Sequence, residues 1–313
     1  MFKVIEVASE LGAGTRGASL GVGAVKVAAW NRNSNVFQGA NFAKVLTENE
    51  RLWSVCPYRW TKRIKGILNV CDDLHSKVKD TIAKGEFPVV IGGDHSIGAG
   101  SIAGVKAAHP DKRVGIIWID AHADLHTPYT TPSGNVHGMP LAAAIGTNNK
   151  EAGNNELSFE EAELWERFCE LGGIKNKIDP QDFVFIALRD TEQQEDGLIE
   201  EYGMKVIRVD EVKEHGVTSA IESSLRHLGD CDIIHLSFDV DSMDTSISMG
   251  TGTPVDNGLS LEQAKELVNG LLKHERIACF EMVEVNPTLD TQNKMADSAL
   301  SVLEAAIDGL KGR

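Results

Sequence analysis

The sequence predicts a three-layer α/β/α fold around a mainly parallel central sheet, and two observations carry that expectation. The first is a series of short, near-continuous apolar runs rich in β-branched residues. They are Lys3–Val7, Pro88–Ile91, Val114–Ile119, Phe183–Leu188, Lys205–Val209, Asp232–Phe238 and Ile277–Phe280. Strands that are apolar on both faces need cover on both faces, which is the condition of a parallel sheet between two helix layers. The second is that helical patterns separate several of these runs, and alternating β and α elements build such a sheet.

Taken in order, Ile64, Ile67, Leu68, Cys71, Leu74, Val78 and Ile82 recur on a 3.6-residue stripe that stops before Gly85. Ser219 with Glu222 has capping-box spacing. So does Ser260 with Gln263, ahead of a stripe of Leu261, Ala264, Leu267 and Leu271. Asp297–Leu310 reads as a closing helix, and the polar, Gly/Asn-rich Gly146–Asn155 as a surface loop. With no internal repeat, low-complexity tract or proline-rich or charged linker, residues 1–313 are expected to form one domain.

Of the 313 residues, 42% are apolar, enough for a large core. A net charge of −15 argues against a nucleic-acid or anionic-membrane surface and suits a cationic partner. No basic-then-apolar leader opens the chain, and no run reaches the ~18 apolar residues of a membrane span. The five cysteines, Cys56, Cys71, Cys169, Cys231 and Cys279, are scattered, odd in number and without a CxxC pair. They read as reduced core thiols, and a cytoplasmic location is expected.

The chemistry lies where strands end. Pro88–Ile91 is followed by Gly92-Gly93-Asp94-His95-Ser96, Val114–Ile119 by Asp120-Ala121-His122-Ala123-Asp124, and Phe238 by Asp239-Val240-Asp241. Open parallel sheets place sites beyond the carboxyl ends of their strands. In extended backbone i and i+2 share a side, so Asp120, His122 and Asp124 converge, as do Asp239 and Asp241. Asp94 aside, three strand ends thus deliver two imidazoles and four carboxylates to one crevice. Taken singly, a strand-end histidine reads as a satisfied core residue and an Asp-x-Asp as a turn. Together, four crowded carboxylates resist burial unless cations neutralise them. One divalent ion with an open position rarely takes six protein ligands. Two ions sharing aspartate bridges do, the arrangement of two-metal hydrolases. A mostly oxygen donor set without thiolate favours manganese over zinc. Gly12, Gly14 and Gly17 match a dinucleotide-binding GxGxxG, but no acidic residue follows at about 20 positions, as a ribose contact requires.

These motifs, GGDHS, DAHAD followed by SGNVHG, SFDVD and EVNP, stand in an order and at separations that resemble the ureohydrolase family, and within it the arginases. The resemblance runs from Gly12 to Pro287. It implies the three-layer fold, two Mn²⁺ ions (Co²⁺ or Ni²⁺ being alternatives), and hydrolysis of L-arginine to L-ornithine and urea by a metal-bridging hydroxide. By position, His95, Asp120, Asp124 and Asp239 would hold one ion and His122, Asp120, Asp239 and Asp241 the other. Ser133 and Asn135 would bind the substrate α-carboxylate, His137 would shuttle protons, Glu284 would pair with the guanidinium, and Asp124 would pass a proton to the leaving amine. A homo-oligomer, trimeric or hexameric, is implied as well. Two positions depart from the arginase pattern. His126 stands where an Asn contacts the α-carboxylate, and Glu192 where an Asp lies near the α-amino group. The alternatives are another guanidino substrate, agmatine or guanidinobutyrate, or a non-catalytic metal-binding relative. The segment Ser133–His137 argues against agmatine, which has no carboxylate.

Overall fold

In the computed structural model, which describes residues 1–313, the apolar runs assemble into one eight-stranded sheet with every strand pair parallel. In chain order the elements are β1 (Phe2–Val7), α1 (Gly21–Asn31), β2 (Asn41–Lys44), α2 (Ile64–Ala83), β3 (Phe87–Gly92), α3 (Gly98–Ala108), β4 (Val114–Ile119), α4 (Pro140–Ile145) and α5 (Phe159–Cys169). They continue with β5 (Phe183–Ile186), α6 (Gln193–Tyr202), β6 (Lys205–Ile207), α7 (Val209–His227), β7 (Ile233–Asp239), α8 (Leu261–Leu272), β8 (Ile277–Val283) and α9 (Lys294–Lys311).

The strand order is β2-β1-β3-β8-β7-β4-β5-β6. β4 shows why the layers form. Its six residues are all buried, with Ile116 and Trp118 in the core beneath α2–α6 and Ile117 and Ile119 in the core beneath α1 and α7–α9. The two cores are the two faces of the same alternating strand. No helix is long and apolar enough to cross a membrane. All five cysteines are free and four are buried.

Where sequence and structure differ, the reasons are local. β2 is a short edge strand whose residues are exposed or half-buried, so it carries no apolar run. The run Phe183–Leu188 stops being strand after Ile186 because Ala187 takes φ 72°. Lys205–Val209 ends at Ile207, and Val209 already opens α7. Ser260 and Gln263 do form the reciprocal cap of α8. Ser219 and Glu222 do not cap a helix, since both lie inside α7, which starts ten residues earlier and is broken at Gly216, φ 81°. The α2 stripe runs as expected and Gly85 closes it at φ 71°. Residues 146–155 form a loop with one short 3-10 turn at Lys150–Ala152.

The arrangement positions the site. β3, β8, β7 and β4 are consecutive neighbours, so the three motif-bearing strands and the end of β8 open onto one stretch of the sheet's carboxyl edge. Behind it α2 and α3 pack at backbone distance. A Cβ on Gly100 would lie 2.8 Å from the Cys71 carbonyl oxygen and 2.9 Å from its Cα. Gly100→Ala is therefore expected to destabilise the protein by about 1–3 kcal/mol through overpacking, read as a lower urea midpoint. An unchanged midpoint would mean that α2 can slide away without losing its contacts.

Candidate metal centre

The six expected ligands meet at the carboxyl ends of β3, β4 and β7. His95 Nδ1 lies 3.0 Å from Asp120 Oδ2, 3.2 Å from Asp124 Oδ2 and 3.2 Å from Asp239 Oδ2. His122 Nδ1 lies 3.1 Å from Asp241 Oδ2 and 3.4 Å from Asp120 Oδ1. Asp120 thus turns one oxygen to each imidazole. Asp239 turns Oδ2 to His95, while its Oδ1 accepts a hydrogen bond from the Asp241 amide at 2.8 Å. His95 Nδ1, Asp120 Oδ2 and Asp124 Oδ2 are all buried without a hydrogen-bond partner. A buried polar atom left unpaired costs about 1–3 kcal/mol. Three such atoms facing one point are what a cation between them resolves, so the donor set fits divalent metal.

Without a cation the carboxylates strain against one another. Burial and then repulsion from Asp120 push Asp124 up to about 6. Burial, Asp241 and Asp120 drive Asp239 well above the carboxylate range, and burial and Asp120 raise Asp241. Burial opposes charge on His95 and His122 too. The surrounding carboxylates nevertheless lift both, and the two imidazoles hold Asp120 down.

Backbone strain sits at the same place. Asp124 (φ 51°) and Glu284 (φ 68°) occupy the left-handed region, which costs a non-glycine residue on the order of 1–3 kcal/mol. The turn at Asp124 sends the chain back so that the His126 amide donates to the Gly138 carbonyl at 3.0 Å. The turn at Glu284, just past β8, brings its amide 2.7 Å from the Gly93 carbonyl. The Glu284 carboxylate then reaches the crevice, where Oε1 accepts from the His95 amide at 2.9 Å and sits 3.2 Å from His137 Nδ1. Burial opposes charge on His137, yet that carboxylate lifts it to about 8.

The outer half of the cavity is built differently. His126 has both ring nitrogens engaged, Nε2 with Glu192 Oε2 at 2.8 Å and Nδ1 with Thr130 Oγ1 at 3.2 Å. It therefore steadies Glu192 rather than presenting a free donor to a carboxylate. Glu192 caps α6 and is half exposed. The buried Glu195 closes that cap and accepts the Leu125 amide at 3.0 Å. Opposite, Ser133 and Asn135 stand at the mouth, with Lys62 Nζ 3.4 Å from Asn135 Oδ1. Ligands, His126, Ser133, Asn135, His137, Glu192 and Glu284 line one cavity of about 130 Å³ with no apolar lining. Drug-sized sites take roughly 300–1,000 Å³, so this one admits a small, polar molecule.

Sequence reading missed Thr253, on the loop before α8, whose hydroxyl donates to Asp241 Oδ2 at 3.2 Å. A single threonine in a loop offers no periodicity to find it by. Asp94, set aside as a ligand, accepts the Gly12 amide at 3.0 Å and the Ser96 amide at 2.9 Å, pinning the glycine-rich loop against the centre.

The family model described as the arginase family matches residues 2–308. An arginase of Bacillus subtilis is 38% identical over 246 residues, covering 79% of this chain and 77% of its own. The structure of arginase from Bacillus caldovelox aligns with a TM-score of 0.84 at 34% identity over 98% of both chains. That of Entamoeba histolytica arginase in complex with L-ornithine aligns with a TM-score of 0.81 at 28% identity, again over 98% of both.

The raised groups set a pH dependence for the metal-free protein. Asp124, up from 3.8 to about 6, contributes stability that is complete below about 4 and lost as pH rises through 6. His137, up from 6.5 to about 8, has the same sign, its contribution being complete below 6.5 and lost through 8. Chelator-treated protein should therefore lose thermal stability across this window, and added divalent cation should raise Tm by an increment that grows from about pH 6 to pH 8. A metal-induced gain that stays flat over this range would detach the cation from these groups.

Proposed function

The chain belongs to the arginase family, and on that premise we propose that residues 1–313 act as one catalytic unit that hydrolyses L-arginine to L-ornithine and urea with two manganese ions. That it is a hydrolase acting on a guanidino group follows from the family. The observation that carries the rest is the convergence of His95, Asp120, Asp124 and Asp239, and of His122, Asp120 and Asp241, beneath the carboxylate of Glu284. The first four would hold one ion; His122, Asp120, Asp239 and Asp241 would hold the other. The hard donor set favours Mn²⁺, with Co²⁺ or Ni²⁺ able to replace it. When bound, such a pair lowers the pKa of a shared water so that hydroxide is available near neutral pH.

The chain's own groups do the rest. Glu284 Oε1 is occupied by the His95 amide and His137, so Oε2 is the oxygen that receives the guanidinium and holds it in place. Asp124 passes a proton to the departing amine, and His137, partly open to solvent, exchanges protons with bulk. At the outer half, the half-exposed carboxylate of Glu192 receives the α-ammonium. Ser133 and Asn135 receive the α-carboxylate, with the Lys62 ammonium beside Asn135 adding positive charge on that side. The Entamoeba arginase solved with L-ornithine, an α-amino acid, supports the same choice. A second reading has one observation in its favour. The His126–Glu192 contact already occupies an oxygen that would serve the ammonium, which suits a guanidino acid lacking an α-amino group, such as guanidinobutyrate. By family analogy the protein is a homo-oligomer, trimeric or hexameric, in keeping with the exposed Trp30, Trp53, Val55 and Phe159.

Manganese-loaded protein should contain about two ions per chain and release urea from arginine faster than from agmatine or guanidinobutyrate. A single ion in fully active enzyme would end the binuclear reading, and preference for agmatine would end the carboxylate one. Glu192→Ala should weaken kcat/KM for arginine by about 1–2 kcal/mol, between the values for exposed and buried charge pairs because Glu192 is half exposed. Guanidinobutyrate should be spared, and equal losses on both would make Glu192 a structural cap. His137→Asn should keep its metal and lose roughly 10²–10³-fold in kcat, whereas normal turnover would remove it from the proton path.

A further inference from the structure

We propose that Glu281, a fully buried carboxylate on β8, acts through Ser237 to fix the tautomer of His95 and so sets the affinity of the cation on the His95 side. The inference rests on the metal-centre reading above. His95 Nδ1 faces Asp120, Asp124 and Asp239, so it is the nitrogen that must present a lone pair, and Nε2 must carry the proton. Nε2 lies 2.9 Å from Ser237 Oγ. A hydroxyl can accept from Nε2–H or donate to a bare Nε2, and the second choice would put the proton on Nδ1, where the cation belongs.

The next partner decides between them. Ser237 Oγ lies 3.1 Å from Glu281 Oε1, and an ionised carboxylate only accepts. The single serine proton is therefore directed to Glu281, and the serine oxygen is left to accept from His95. Glu281 Oε2 in turn accepts from the Ser101 hydroxyl of α3 at 2.5 Å. The sheet register explains how these groups meet. Trp118 on β4 pairs with Ser237 on β7, which pairs with Glu281 on β8, so the three form one row on one face. The Trp118 indole stacks on the His95 ring at 3.9 Å and 6°, fixing its plane while Ser237 fixes its edge.

This carboxylate does not line the cavity and so touches no substrate. Ser101, Trp118, Ser237 and Glu281 have no exposure to solvent, and no lysine or arginine pairs with Glu281. The nearest other ring, His235, stands 3.9 Å away and, with the Ser101 hydroxyl, helps to hold the carboxylate ionised against the cost of burial. A carboxylate buried among hydroxyls and imidazoles, with no lysine or arginine beside it, is still costly. Its retention is explained when cations lie on the far side of His95, because the partner of a metal-bound imidazole orients it and raises its basicity.

The test is Mn²⁺ titration followed by electron paramagnetic resonance of the free ion, with Tm of the chelator-treated protein measured alongside. In Glu281→Gln the new amide can donate to Ser237, freeing the serine proton to turn toward His95. One ion should bind as in the wild type and the other 10- to 100-fold more weakly, while the metal-free Tm holds or rises because a buried charge has gone. Ser237→Ala should show the same loss and carries the expectation alone if the glutamine variant does not fold. The double variant should lose no more than either single change, since both cut one path. Wild-type affinity for both ions in the variants would overturn the assignment, as would a lower metal-free Tm with affinity unchanged. A wild-type chain that binds no pair of Mn²⁺ ions would instead remove the metal-centre reading beneath it.

Discussion

Asp120, Asp124, Asp239 and Asp241 crowd one buried rim, and much of the structure can be understood as the means of holding them there. Left to themselves these carboxylates would take up protons or separate. Adjacent parallel strands, β4 and β7, fix their backbones in register, so they cannot move apart without breaking the centre of the sheet. The left-handed turns at Asp124 and Glu284 act to the same end. Each turns the chain beyond a strand end, Glu284 directly after β8 and Asp124 five residues after β4, so that a charged side chain points into the crevice while its backbone is tied to a neighbouring loop. The free energy held in this way is returned when cation replaces mutual repulsion, which makes the metal part of the fold as well as of the chemistry.

How far the sequence foretold this depends on where each residue's signal lies. The buried strands were legible because both faces of a parallel sheet demand apolar side chains, and the ligands because they follow those runs at two-residue spacing. β2 was not legible, since an edge strand with exposed faces has no such pattern. The start of α7 was hidden because its first turn follows β6 after a single residue, and Gly216 divides its stripe. Ser237 and Glu281 were hidden for another reason. Inside apolar runs they look like polar interruptions, and only cross-strand register shows that they touch. His126 and Glu192 each stood out as a departure, but lying 66 residues apart they gave no sign of contacting one another.

That contact changes how the outer half of the cavity is to be understood. The two departures from the arginase pattern are in contact with one another and so are not independent. The longer arm of Glu192 is steadied by the imidazole that replaces an amide, and Thr130 steadies the imidazole. The cavity mouth is left with charge of opposite sign on its two sides, Glu192 on one and, beside Asn135 on the other, Lys62. A small zwitterion entering guanidinium first would be turned by that field before it reached the ligands.

The pairing of β3 with β8 has a consequence for how the molecule comes into being. Val89 lies opposite Phe280 and Ile91 opposite Met282, so strands nearly two hundred residues apart in the chain flank one another at the middle of the sheet. During synthesis, His95 and the Asp120–Asp124 segment emerge long before β7 and β8 can cover them. A nascent chain therefore carries half a metal site with no partner strands, exposing apolar edges for many seconds at ordinary elongation rates of about 5–20 residues per second. Closure of such distant contacts is intrinsically slow. The central position of β8 thus leaves the middle of the sheet unfinished until almost the whole polypeptide has been made.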